Sequence, residues 1–169
     1  PEIMNRLLET NMEQTPGYSE DEHCMRAEKL IQEACKAPKS KVHFLVGGTQ
    51  TNMTVIGAAL RPYQGVISAA TGHIHVHETG AVESLGYKVL ALPAEDGKIK
   101  ASQIDEACTL HKNDASFEHM VQPKMVYISQ PTELGTLYSR QELEAIRNVC
   151  DKHELYLFVD GARLGYGIA

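Results

Sequence analysis

The chain has 169 residues, of which 43% are hydrophobic and 22% are charged, and its formal net charge is −6. This length suits one domain with a hydrophobic core and is short for two ordinary domains. No apolar run approaches the length of a membrane span, which excludes membrane insertion. Nucleic-acid binding is also not expected, because the chain is acidic and has no block of lysine and arginine residues to bind phosphates.

The cysteines and the two chain ends indicate where this polypeptide functions and how complete it is. Cys24, Cys35, Cys108 and Cys150 have neither CxxC spacing nor the spacing of a disulfide framework, so we expect reduced thiols and a cytoplasmic protein. The sequence opens inside a helix-like segment and stops just after a strand-like one. We therefore expect a piece of a longer polypeptide.

Residues 1–39 are predicted to form an N-terminal helical arm. Apolar residues at helical spacing predict one helix near the start and a second from about residue 20 to residue 35, with a Pro-Gly-Tyr turn between them. Tyr18 lies in this turn, where a surface position is its simplest interpretation. The residues expected to be buried on the second helix are Met25, Leu30, Ile31 and Ala34.

Residues 41–60, KVHFLVGGTQTNMTVIGAAL, are predicted to form a strand, a glycine turn and a helix. The backbone N–H groups in the first turn of a helix attract anions, and glycine allows a ligand to approach the backbone closely. Gly48 lies at this position, and Thr49, Gln50 and Thr51 add side-chain donors there. The pattern predicts a phosphate site, with a plain helix start capped by threonine as the alternative.

Residues 71–80, TGHIHVHETG, form a histidine-rich segment that follows a predicted strand at 65–70. On an extended backbone His73, His75 and His77 share one face and can hold a metal; on a helix they spread apart. No other histidine or cysteine has supporting spacing. We favour a single histidine used for stacking or proton transfer, and keep a metal-dependent hydrolase built on the three histidines as the alternative.

Strands and helices continue to alternate, which predicts an α/β fold: a mainly parallel sheet with helices on both faces, formed by residues 40–169. A Ser139–Glu142 capping box marks one helix start. The other predicted elements are a helix at 78–85, a strand at 88–93, a helix capped by Ser102, and strands at 124–129 and 155–159.

Polar residues follow the predicted strands, where ligands bind in open α/β sheets. Gln130 and Thr132 follow one strand and are candidates by position. Asp160 ends the last strand and, with glycine after it, can face a bound ligand, although Asp-Gly is also a turn signal. Arg163 can bind a carboxylate through its planar guanidinium, and a surface ion pair is the alternative.

Several segments together resemble the fold-type I enzymes that depend on pyridoxal phosphate, specifically the threonine aldolase and β-eliminating lyase group. They are PGYSEDE, HFLVGGTQTN, GHIHVHETGA, PTELGTLYS and VDGARLGYG, in this order along essentially the whole chain. The resemblance implies that residues 40–169 form a pyridoxal-phosphate-binding domain that is incomplete on its C-terminal side. It also implies a homodimer or homotetramer.

The resemblance further implies a role for each matching residue. Gly48, Thr49 and Gln50 would hold the cofactor phosphate, and His73 would stack on the pyridine ring. Asp160 would pair with the pyridine nitrogen, so His73 and Asp160 are the implied catalytic residues. Arg163 and Tyr18 would contact the amino-acid substrate. The family's Schiff-base lysine falls beyond Ala169, and none is assigned in this chain.

The resulting hypothesis is a pyridoxal-phosphate-dependent carbon–carbon lyase acting on a β-hydroxy or β-substituted L-amino acid, with cleavage of L-threonine to glycine and acetaldehyde as the first candidate. A non-catalytic binding module that keeps this fold is the second alternative, alongside the metal-dependent hydrolase.

Overall fold

The computed structural model describes residues 1–169, and the chain divides into two compact units, Pro1–Leu45 and Val46–Ala169. The first unit contains two helices, α1 (Glu2–Thr10) and α2 (Glu22–Ala34). None of the helices of the chain combines the length and the apolar character needed to cross a bilayer.

The helix α2 has a well-formed start and an exposed apolar face. The Asp21 carboxylate accepts a hydrogen bond from the Cys24 backbone N–H (2.9 Å), which is the expected capping contact for a helix start. No residue of α2 is buried, and Met25 and Leu30 are 47% and 55% exposed. The predicted buried stripe is therefore wrong, because helical spacing identifies an apolar face but not a surface that covers it.

The second unit is built on a four-stranded sheet. Its strands lie in the order β2–β1–β3–β4, and all three neighbouring pairs are parallel. Its elements are α3 (Gly48–Ala59), β1 (Gln64–Ala69), α4 (His73–Val76), α5 (Ala81–Ser84), β2 (Lys88–Leu92), α6 (Ala101–Asn113), a 3₁₀ turn (Phe117–His119), β3 (Gln122–Ser129), α7 (Arg140–Lys152), β4 (Tyr156–Asp160) and α8 (Leu164–Gly167). This topology confirms the predicted α/β fold class.

Helices cover both faces of this sheet, and alternate strand residues enter two separate cores. On β1, for example, Val66 faces one core and Ile67 faces the other, and both are fully buried. The first core joins the sheet to α3, α4 and α5 through Ile56, Ile74, Val82, Met125 and Tyr127. The second joins it to α6 and α7 through Ile104, Cys108, Val126, Ile146 and Cys150.

Three local predictions differ from the structure. Residues 41–46 form no strand, because a β-prone run becomes a strand only where a neighbouring strand offers hydrogen bonds. The helix predicted at 78–85 is only the short α5, since Gly80 adopts φ +75° directly before it. Ser102 lies inside α6 instead of capping it: the helix begins after Lys100, whose N–H donates to Gln103 Oε1 (2.7 Å).

The predicted capping box at the start of α7 is confirmed. Ser139 Oγ accepts from the Glu142 N–H (3.3 Å), and Glu142 Oε2 accepts from the Ser139 N–H (2.7 Å). Lys98 Nζ also donates to Glu142 Oε1 (2.7 Å). The Lys98 ammonium and then the Ser139 N–H lower the pKa of Glu142 to about 2, so this carboxylate stabilises the fold in its charged form.

Replacement of Glu142 by glutamine is expected to lower the free energy of unfolding by about 1 kcal/mol at pH 7, a value reduced because the side chain is 42% exposed and screened by solvent. Because the folded-state pKa is depressed, this contribution is complete above the ordinary pKa of 4.5 and is lost as the pH falls towards 2. Urea unfolding of both proteins between pH 2 and pH 7 measures it. Glu144→Gln, which removes only an exposed pair with Arg140, is the control; an equal loss in both variants, or a loss independent of pH, contradicts the assignment.

Candidate active site

The carboxyl ends of the four strands meet at one edge of the sheet because all the strands are parallel. The chain runs from β1 to β2 on one side and then crosses to β3 on the other, so the strand order reverses between β1 and β3. Ligands bind at such a reversal in open α/β sheets. His73 follows β1 and Asp160 ends β4, with only β3 between these strands. At about 4.8 Å per strand, the two strands lie about 10 Å apart.

The helix α3 brings its N-terminus to this same edge. Asn52, in its first half, donates from Nδ2 to Oε1 of Glu78 (2.9 Å), and Glu78 follows β1 and α4. At the other end of α3, the carbonyl of Leu60 accepts from the Tyr87 hydroxyl (3.2 Å), directly before β2 begins. The helix therefore runs antiparallel to the strands, and its start lies beside the carboxyl ends of the strands.

The first turn of α3 offers free backbone donors. The first intrahelical bond runs from the Thr51 N–H to the Gly47 carbonyl (3.0 Å), which leaves the N–H groups of Gly48, Thr49 and Gln50 without helical partners. A Cβ added at Gly47 or Gly48 would meet no atom within 4 Å, so the backbone here is open to a ligand. This geometry suits an anion such as a phosphate group.

His73 begins the short helix α4, and its position depends on the glycine before it. A Cβ at Gly72 would lie 2.2 Å from Ser68 Oγ and 2.9 Å from the Ala69 carbonyl oxygen, so only glycine fits. His73 Nδ1 is buried and has no hydrogen-bond partner, and the ring lies 5.3 Å from that of His77. An imidazole held at the sheet edge in this way can stack on a planar ligand.

The helical conformation of residues 73–76 removes the basis of the metal-site alternative. His75 does not share an extended face with its two neighbours, and the chain contains no group of three or more histidine, cysteine, aspartate or glutamate residues arranged to hold a metal. The three histidines therefore do not form the shared extended face on which the metal-dependent hydrolase alternative rested.

Asp160 is held by two hydrogen bonds at the end of β4. Its Oδ2 accepts from the Tyr127 hydroxyl (2.5 Å), and its Oδ1 accepts from the backbone N–H of Ala162 (2.9 Å). A carboxylate has about four acceptor sites, so Asp160 can still accept a hydrogen bond from a ligand cation. Burial and then the bond to Asp160 raise the pKa of Tyr127, so its hydroxyl remains a donor at neutral pH.

Arg163 lies three residues beyond Asp160, and its guanidinium is near the carboxylate of Glu133. Its Nη1 is 3.9 Å from Oε1 of Glu133, which also accepts from the Ser129 hydroxyl (2.6 Å). Ser129 pairs in register with Asp160 across β3 and β4. At 3.9 Å the guanidinium makes no close bidentate pair with Glu133, so its donors can bind a ligand carboxylate.

The family model for beta-eliminating lyases matches residues 1–165 of this chain. The chain belongs to the beta-eliminating lyase family. A solved structure of the threonine aldolase of Leishmania major superposes on it with a TM-score of 0.93 at 49% identity, covering 99% of this chain and 48% of the other. The low specificity L-threonine aldolase of Pseudomonas aeruginosa is 32% identical over 171 residues, covering 100% of this chain and 48% of that protein.

The resemblance to the threonine aldolase and β-eliminating lyase group is thereby confirmed. This member of the family spans about half the length of the curated relatives that it matches. An archaeal alanine:glyoxylate aminotransferase superposes with a TM-score of 0.62 at 19% identity, covering 94% of this chain and 39% of the other, which shows a shared fold alone.

Three of the polar residues predicted to lie at the candidate site are not placed there by the contacts that the structure shows. The side-chain amide of Gln130 bonds the backbone N–H and carbonyl of Tyr138 (2.9 and 3.1 Å), so it serves the loop after β3. The hydroxyl of Thr132 is buried and paired with that of Thr136 (2.7 Å). Tyr18 lies in the Pro1–Leu45 unit, fully exposed with φ +63°, and its role stays a prediction.

Sequence reasoning missed the residues that support the site from behind: Tyr127 beneath Asp160, and the Asn52–Glu78 pair that ties α3 to the segment carrying His73. A signal for Tyr127 was present. A tyrosine inside a continuous apolar strand needs a buried partner for its hydroxyl, and such a partner must come from another element.

Replacement of Asn52 by leucine is expected to lower the free energy of unfolding by about 2–3 kcal/mol, because Glu78 is only 6% exposed and its Oε2 already lacks a partner. The double variant Asn52→Leu/Glu78→Leu removes the buried carboxylate as well and should recover part of this loss. Chemical denaturation of the three proteins measures both effects. A double variant that is less stable than Asn52→Leu would contradict this account of the pair.

Proposed function

We propose that the polypeptide containing this chain is a pyridoxal-phosphate-dependent aldehyde-lyase that cleaves a β-hydroxy L-amino acid, with L-threonine giving glycine and acetaldehyde as the first substrate. The observation that carries the proposal is the meeting of three features at one sheet edge: the open start of α3, His73 after β1 and Asp160 at the end of β4. The similarity to L-threonine aldolases supports the substrate class.

The residues present fit the cofactor. Three free N–H groups at Gly48, Thr49 and Gln50 match a phosphate dianion, and the ring of His73 matches a planar heterocycle. The Asp160 carboxylate retains acceptor capacity for a protonated ring nitrogen. When bound, pyridoxal phosphate supplies an electron sink for the negative charge that develops at the substrate Cα.

In that reaction the residues of this chain bind the cofactor and the substrate and orient them relative to each other. The start of α3 anchors the phosphate, and Asp160 holds a proton on the ring nitrogen through electrostatic attraction. Arg163 receives the α-carboxylate of the amino acid, which fixes the bond to be broken relative to the ring. Tyr18 is proposed to contact the substrate in the assembled protein. We also propose that the protein acts in the cytoplasm as a homodimer or homotetramer.

The test uses the complete polypeptide purified in the presence of pyridoxal phosphate. The loaded protein should show an absorption band in the visible region and should release acetaldehyde and glycine from L-threonine in equal amounts. Pyruvate is assayed in parallel, with L-serine as a second substrate, because its release would indicate β-elimination. A protein that stays colourless with added cofactor, or that binds cofactor but releases no product, contradicts the proposal and favours a non-catalytic module.

A further inference from the structure

Tyr127 is a fully buried side chain on β3 whose hydroxyl reaches the candidate active site. It pairs in register with Phe158 on β4, and the two rings meet edge to face with centroids 5.3 Å apart. Phe158 and Asp160 share one face of β4 because they are two residues apart. The tyrosine therefore lies against Phe158, and its hydroxyl extends along the strand to Oδ2 of Asp160 (2.5 Å).

This hydrogen bond runs from a neutral donor to a carboxylate, which makes it stronger than a bond between neutral groups. Tyr127 is fully buried in the core that contains Met125 and Ile74, whereas Asp160 is partly exposed, so the bond lies at the edge of this core. The Ala162 N–H holds the other carboxylate oxygen. Asp160 is thus fixed from two directions, by a side chain of the neighbouring strand and by its own turn.

We propose that Tyr127 is a positioning residue that orients the Asp160 carboxylate and stabilises its negative charge, so that this charge faces the ring nitrogen of the cofactor. The inference rests on the proposed function and deepens it. Tyr127 touches neither substrate nor cofactor in this role and acts only through Asp160.

The chain offers a matched control for a Tyr127→Phe variant. Tyr138 is also buried (4% exposed), and its hydroxyl accepts from the backbone N–H of Ile99 (2.9 Å), so Tyr138→Phe removes one buried hydroxyl without touching Asp160. Both variants are expected to lose stability in denaturant. Only Tyr127→Phe should lower kcat, by about tenfold or more with KM changed by less than about threefold, and weaken the binding of pyridoxal phosphate to the apo-protein severalfold.

The decisive comparison repeats Tyr127→Phe in an Asp160→Asn background. If Tyr127 acts through Asp160, the substitution changes kcat in the wild-type protein but has little further effect once the carboxylate is gone. Equal, additive losses in both backgrounds overturn the inference, as does equal behaviour of Tyr127→Phe and Tyr138→Phe in kcat and in cofactor binding.

The cofactor titration of the wild-type apo-protein separates the two proposals. If the wild-type protein binds pyridoxal phosphate and turns over, and Tyr127→Phe matches the Tyr138→Phe control, only the role of Tyr127 is overturned. If the wild-type protein binds no pyridoxal phosphate, the proposed function fails and the role of Tyr127 fails with it.

Discussion

An Asp160→Asn variant of the complete polypeptide is expected to lose about a hundredfold or more in kcat, a far larger effect than the roughly tenfold loss expected in its cofactor affinity. Asparagine has nearly the same shape, but its single side-chain oxygen can replace only one of the two oxygens that accept from Tyr127 and Ala162, and it carries no charge to keep the ring nitrogen protonated. The phosphate anchor at the start of α3 is untouched by the change. Steady-state kinetics with L-threonine and a fluorescence titration of the apo-protein with pyridoxal phosphate measure the two effects.

Asp105→Asn is the control for this substitution. Asp105 lies on α6 and binds Lys152 and His153, so the change removes a carboxylate without altering β4. Its kcat should stay within about twofold of the wild-type value, as is usual for a substitution away from a site. An Asp160→Asn variant with kcat equal to that of the control would remove the proposed role of Asp160.

An Arg163→Leu variant is expected to raise KM for L-threonine by about tenfold to a hundredfold, because a charge-assisted bond to the α-carboxylate is worth about 1.5–3 kcal/mol. The leucine variant keeps the apolar bulk of the side chain but has no donor. L-Threoninamide, which lacks the carboxylate, sharpens the test: the wild-type protein should prefer the acid strongly, whereas the variant should bind acid and amide about equally.

Arg140→Leu removes an exposed arginine at the start of α7, where it pairs with Glu144, and should leave the preference for the acid intact. If the Arg163→Leu variant keeps the wild-type preference for acid over amide, Arg163 does not bind the substrate carboxylate. The ion pair with Glu133 at 3.9 Å would then be its only assigned contact.

The most accurate sequence predictions concern features set by near neighbours in the chain. The capping box needs only Ser139 and Glu142, three residues apart, and it forms as expected. The apolar run before Ser129 predicts a strand that is buried on both faces. In the structure Tyr127 and Ile128 enter opposite cores, as this prediction requires. The predicted strand at 42–46 fails for the complementary reason, because a strand requires a partner that no local pattern can supply.

The sequence by itself determined the alternation of strands and helices, the glycine-led start of α3, and the polar residues that follow the strands. Only the tertiary structure decided the order β2–β1–β3–β4, which places β3 between the strands that carry His73 and Asp160. It also decided the contacts of Tyr127 with Asp160 and of Asn52 with Glu78, which join residues 33 and 26 positions apart. Contacts across such separations depend on how the strands pair and the helices cross, and periodicity over three or four residues carries no information about either.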